Sequence, residues 1–176
     1  MMRGAWMLLA VLSLVGCGTT YSWRSQVPAR MRTVAVPTFR NESDVTELGA
    51  VVARELAREF QREGTFALRR TGESAVEIQG VIEKAASGAR AYRRDTGLRN
   101  NEFTFSLRAK VSVIDKLHSK VLVDNRVYSA ETTFAANHDT LTGERNASGR
   151  LAEDLARQIV DDVTELDFTD EEESDE

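Results

Sequence analysis

The sequence predicts an α+β fold, a four-stranded mixed sheet with two helices packed on one face, in the order β-α-β-β-β-α. Three observations carry this. Residues 101–115 alternate strictly, with Phe103, Phe105, Leu107, Ala109, Val111 and Val113 on one side and Thr104, Ser106, Arg108, Lys110 and Ser112 on the other; that period of two belongs to a half-buried strand. Leu48, Val51, Val52, Leu56 and Phe60 recur at helical spacing, as do Leu151, Leu155, Ile159 and Val163. Each set forms one apolar stripe, and a single sheet face buries both most simply.

The elements follow in order. Residues 33–39 (TVAVPTF) read as the first strand. Pro37 lacks a backbone donor, so the strand lies at an edge or pairs on one side there. A helix is predicted over 44–63, with Asp44 and Glu47 spaced as a capping box and Gly64 as the terminating residue. The second strand starts near residues 66–69 and continues through 75–84 (AVEIQGVIEK), with Val76, Ile78, Gly80 and Ile82 on one face. Residues 101–115 and 120–134 form a hairpin turned by Lys116-Leu117-His118-Ser119, and the slip of alternation near Asn125 predicts a bulge. A polar stretch, 135–146, leads to the second helix.

The ends of the chain differ in kind from its middle. Arg3 precedes an apolar run at 5–15 (AWMLLAVLSLV), about half of the ~20 residues a membrane-spanning helix needs. A charged start and a short apolar core make a secretory signal. It ends on Leu14-Val15-Gly16-Cys17, which resembles the bacterial lipobox and implies a diacylglycerol on Cys17, the chain's one cysteine. Two or three acyl chains anchor stably where one does not. An ordinary signal peptide or a short span with a chance cysteine is the alternative. Gly18 is not the aspartate that retains such proteins at the inner membrane, so outer-membrane placement is expected. The predicted organisation is a lipoprotein signal peptide at 1–16, a lipid-anchored tether at 17–32, one α+β domain at 33–166 and a disordered acidic tail at 167–176.

Charge supports that division. Residues 167–176 hold seven acids and no base, whereas the rest of the mature chain has 22 bases and 21 acids, once Arg3 and those seven are set aside from 23 and 28. The tail reads as solvated, and a near-neutral domain with no nucleic-acid motif argues against nucleic acid as a partner. His118 and His138 stand in turns, no second cysteine exists, and neither G-x-S-x-G nor H-E-x-x-H occurs. Neither catalysis nor a cofactor is expected. One basic constellation stands out: Arg90, Arg93, Arg94 and Arg99 within residues 85–100 (AASGARAYRRDTGLRN), with Arg108 and Lys110 on the polar face of the next strand. Guanidinium forks suit phosphates; the competing reading is a solvated connector.

The chain resembles the LptE-type lipopolysaccharide-assembly lipoproteins. The resemblance is carried by Cys17 with Tyr21, by "VPARMRTVAVPTFRNES", by "ELAREFQREGTFAL" and by "AVEIQGVIEK". It implies two helices against a four-stranded sheet, placed as a plug inside the LptD outer-membrane barrel, with no reaction catalysed. It also implies possible lipopolysaccharide contacts, for which the phosphate-suited side chains above are the candidates. Tyr21 stands further from Cys17 than the resemblance leads one to expect, and Leu117-His118-Ser119 replaces a glycine turn. "TVAVPTFRNES" is also similar to outer-membrane activators of peptidoglycan synthases, although about 15 residues of tether, roughly 50 Å extended, are short for a reach across the periplasm. A pilotin for another pore is the third reading.

Overall fold

The structure, a computed structural model, describes residues 27–92, 101–135 and 140–168. A 3-10 turn, Ala29–Met31, leads into β1 (Thr33–Ala35) and β2 (Arg40–Asn41). Helix α1 (Leu48–Glu63), β3 (Ala67–Leu68), β4 (Val76–Tyr92), β5 (Asn101–Asp115), β6 (Lys120–Ala135) and helix α2 (Thr140–Thr164) follow. The strands lie in the order β3-β1-β4-β5-β6, with β2 also on β4. β1 runs parallel to both β3 and β4, and β4, β5 and β6 are antiparallel. The α+β class with two helices and a mixed sheet is as predicted.

The sheet has six strands rather than four, and each addition has a local cause. Pro37 lacks an N–H and breaks the first strand after Ala35. The chain rejoins the sheet at β2, paired with Val81 and Ile82 of β4. The predicted second strand is also two. After Leu68 the backbone turns at Gly72 (φ 92°), so β3 and β4 flank β1 instead of running on from each other.

Helix α1 starts at Leu48, four residues later than Asp44. Asn41 organises the intervening loop: its Oδ1 accepts from the Ser43 N–H (3.1 Å) and hydroxyl (2.7 Å), and its Nδ2 donates to the Val45 carbonyl (2.7 Å). Glu47 then takes a left-handed conformation (φ 64°) with no side-chain cap, so the predicted capping box does not form. Gly64 ends the helix as predicted, at φ 86°, its N–H donating to the Phe60 carbonyl. Helix α2 starts at Thr140, inside the stretch expected to be a connector, and extends its stripe with Ala147, Ala152, Ala156 and Val160, all buried.

Both helices pack against each other and against one sheet face. That face is the predicted one: Phe105, Leu107, Ala109, Val111 and Val113 are buried. Phe39 is a wedge in this core. A Cβ on Gly80 would stand 2.2 Å from its ring, and a Cβ on Gly49 would stand 2.1 Å from its carbonyl oxygen. Gly80 interrupts an apolar strand face because an aromatic ring occupies the space above it. The predicted bulge is at Asn125 (φ 48°), whose N–H donates to Ser112 Oγ at 3.0 Å.

Packing continues on both sides of residues 33–166. Val27 and Met31 are each 1% exposed. Phe168 is buried against Phe66, ring centroids 5.9 Å apart, and Phe66 packs edge-on against Phe60 at 5.6 Å.

Candidate functional site

The side of the sheet away from the helices carries the candidate surface. Strand alternation sends Thr104, Ser106, Arg108, Lys110 and Ser112 there, and the register with β4 and β6 assembles their neighbours. Pairing of β4 with β5 slips between Ile82 and Lys84, leaving Glu83 as the extra residue of a bulge. Its carboxylate meets Lys110 Nζ at 2.6 Å and Arg108 Nε at 3.3 Å. The Lys110 hydrogen bond and the charge of both cations outweigh partial burial and hold the Glu83 carboxyl below the usual glutamate range. Arg108 and Lys110 are thus brought together on this face, already sharing an anion. Sequence reasoning missed Glu83 because only the register slip aims it at both.

Arg90 belongs to the backbone of β4, with its side chain outside the described residues. Cys17, Arg93, Arg94 and Arg99 lie outside the described residues altogether. β4 runs fifteen residues past β1, which pairs only at Val76 and Glu77. At about 3.3 Å per residue, the far end of β4 at Tyr92 therefore lies tens of ångströms from the end where the chain enters the sheet.

A polar groove of about 490 Å³ adjoins the Glu83 cluster, between Pro37, Thr38 and Arg40 on one side and Lys110, Ser112 and Asn125 on the other. Its floor includes Glu77, 5% exposed, which accepts from Gln79 Nε2 at 2.7 Å and has Lys116 Nζ 4.0 Å away. At the foot of the sheet, Asp115 organises the hairpin turn. Its Oδ1 accepts from the N–H groups of Leu117 (2.8 Å) and His118 (3.1 Å), and its Oδ2 lies 2.6 Å from His118 Nδ1. Burial opposes ionisation there, but these hydrogen bonds prevail and the Asp115 carboxyl is held below its ordinary value. Tyr128 is shifted the other way, raised first by burial and then by its hydrogen bond to Asp162. That bond, with the Arg126–Asp162 ion pair (3.1 Å), fastens α2 to β6.

Among the described residues no three potential ligands converge as a metal site, and no helix is long and apolar enough to cross a membrane. One sheet face is sealed by helices and the other is a wet, mixed-charge surface of paired ions and amides. The chain belongs to the lipopolysaccharide-assembly family LptE, whose profile matches residues 31–163. Membership makes it a cell-envelope lipoprotein of a non-enzymatic family with a role in lipopolysaccharide assembly. No curated protein sequence matches the chain. Solved structures of similar fold include a candidate lipoprotein from Caulobacter crescentus (10% identity, 72% of this chain and 88% of that one, TM-score 0.50). Another is a hypothetical protein from Chlamydia trachomatis (14% identity, 78% and 98%, TM-score 0.51). At these identities the likeness concerns the fold alone.

Proposed function

We propose that this chain is an outer-membrane lipoprotein, cut before Cys17 and acylated on it, that assists assembly of an LptD-type barrel and plugs its lumen on the periplasmic side. In this reading the barrel delivers lipopolysaccharide to the outer leaflet, and this chain catalyses nothing. The observation that carries the reading is the family match over residues 31–163. Two physical features support it. Nine residues separate Cys17 from Val27, the first core residue among those described, a reach of at most about 36 Å, which keeps the domain beside the membrane. The helix-free sheet face offers charges already neutralised in pairs, a surface suited to a hydrated barrel interior.

The candidate phosphate contacts remain Arg90, Arg93, Arg94, Arg99, Arg108 and Lys110. For the last two, Glu83 is a built-in competitor that an incoming phosphate must displace. Affinity isolation from detergent-solubilised membranes tests the proposal. An outer-membrane barrel is the expected co-purifying partner, and Cys17→Ala should leave an unprocessed or mislocalised precursor. Recovery of a cell-wall synthase without a barrel would overturn the plug reading.

A further inference from the structure

The end of the sheet where the chain enters also carries an exposed apolar tip. Thr33 follows the Ala29–Met31 turn after one residue, Arg32, and its hydroxyl accepts from the Ala75 N–H at 2.9 Å. The Ala75 carbonyl accepts from the Lys116 N–H at 2.7 Å. Two hydrogen bonds therefore join the entering chain to the β5–β6 turn. Leu117 at that turn is 54% exposed, and Val121, paired with Ile114 just beyond it, is 52% exposed.

The exposed charges flanking these two side chains are lysines, and Lys116 Nζ also lies 4.0 Å from the buried Glu77 carboxylate. Lys116 and Lys120 flank the turn and are exposed. The acid of the turn, Asp115, is buried and points inward, its oxygens taken up by Leu117, His118 and the His118 ring. That inward bonding also fixes the turn, so Leu117 is presented without ordering cost at the moment of contact. Apolar side chains flanked by lysines, whose stems lie along apolar surface while their ammonium groups stay wet, suit a lipid headgroup boundary. Val127, 44% exposed, lies partway along β6 opposite Lys110 and lacks this setting.

We propose that, before a barrel encloses the domain, the β5–β6 tip is a second membrane contact, inserting Leu117 and Val121 into the leaflet that holds the anchor. This rests on reading Cys17 as the lipid attachment point. The short chain between Cys17 and Val27 then brings this end of the sheet, and not the far ends of β4 and β5, to the lipid surface. Two contacts, one covalent and one through the tip, would fix the tilt of the domain where the acyl chains alone leave it free to swivel.

The test uses the mature chain from Cys17, coupled through its single thiol to a maleimide phospholipid. The vesicles are phosphatidylethanolamine and phosphatidylglycerol carrying brominated acyl chains. In a Trp23→Phe background, Leu117→Trp or Val121→Trp places one indole at the tip, and Ser87→Trp places one on exposed β4, about 35 Å further along the strand. Tip indoles should blue-shift and lose roughly half their emission, because interfacial apolar groups sit about 5–10 Å into the headgroup region. The Ser87→Trp control should change little. Equal quenching at the tip and the control would overturn the proposal, as would a blue shift present before vesicles are added, which would mean that a second copy covers the tip. The chemical tether separates this result from the question of acylation in cells, which mass spectrometry of Cys17 decides.

Discussion

The two faces of β5 are built by opposite rules. Toward the helices, Phe105, Leu107, Ala109, Val111 and Val113 are each at most 1% exposed, and stability there depends on shape. Toward solvent, Arg108 and Lys110 share Glu83, and Asn125 borrows Ser112; little apolar area is at stake. The inner face therefore specifies the fold and tolerates few substitutions. The outer face is free to serve a partner.

The largest effects should come from the inner side. Phe168→Ala is expected to destabilise the domain by about 3 kcal/mol, the low end for a buried phenylalanine, because its ring lies against Phe66 near the chain end. Thermal melts would read this as roughly 6–12 °C. A negligible shift would detach Phe168 from the core and leave the acidic end a simple tail. Gly80→Ala and Gly49→Ala come next, about 1–3 kcal/mol each for overpacking. Gly49→Ala should be the worse, since its Cβ meets a backbone carbonyl and Gly80→Ala meets a ring that can tilt. Phe39→Leu should recover part of the loss in the Gly80→Ala variant and none in the Gly49→Ala variant. Equal recovery in both would refute the wedge.

What was legible in the sequence divides along the same line. The buried stripes of α1, α2 and β5 were readable because alternation and helical spacing are local signals. The bulge at Asn125 was readable because the alternation slips there, and the stop at Gly64 because a helix end favours that residue type. The start of α1 was not. Asp44 and Glu47 have cap spacing, but Asn41 captures the loop through three side-chain hydrogen bonds and Glu47 turns left-handed. The separation of β3 from β4 and the pairing of Glu83 depend on which strands become neighbours, and no window of a few residues contains that. Of the candidate phosphate contacts, the structure joins Arg108 to Lys110 through a carboxylate that spacing alone did not connect with them.

A middle-sized effect belongs to Asp115, the buried acid between the two regions. Asp115→Ala strands the Leu117 and His118 N–H groups and should destabilise by about 1–3 kcal/mol. Asp115→Asn keeps an acceptor for both and should lose less. Because the native carboxyl is held below its ordinary value, its contribution is fully present above about pH 4, the range of an unfolded aspartate. It is lost as pH falls through the depressed native value. Denaturant melts of wild type should weaken across that acid range more steeply than those of Asp115→Asn. Parallel pH curves would show that the carboxylate charge is not what holds the turn.

The smallest effect on folding should accompany the clearest effect on binding. Glu83→Gln removes the shared anion but keeps an oxygen that can accept from Lys110. Exposed ion pairs contribute little, so the thermal midpoint should stay close to that of wild type. The outer face, meanwhile, gains one net positive charge where Arg108 and Lys110 stand. If lipopolysaccharide phosphates meet this face, purified lipopolysaccharide should bind Glu83→Gln more tightly than wild type. The gain should fade as salt rises, because the Debye length is only about 8 Å at physiological ionic strength. Replacing Arg108 and Lys110 by glutamine should abolish the gain, and Lys at position 108 should restore only part of it, since an ammonium lacks the guanidinium fork. Should Glu83→Gln bind no better than wild type, while glutamine at Arg90, Arg93, Arg94 and Arg99 removes binding, phosphate recognition would belong to the β4–β5 connection. The paired charges of the outer face would then serve only to keep that face wet against whatever encloses it.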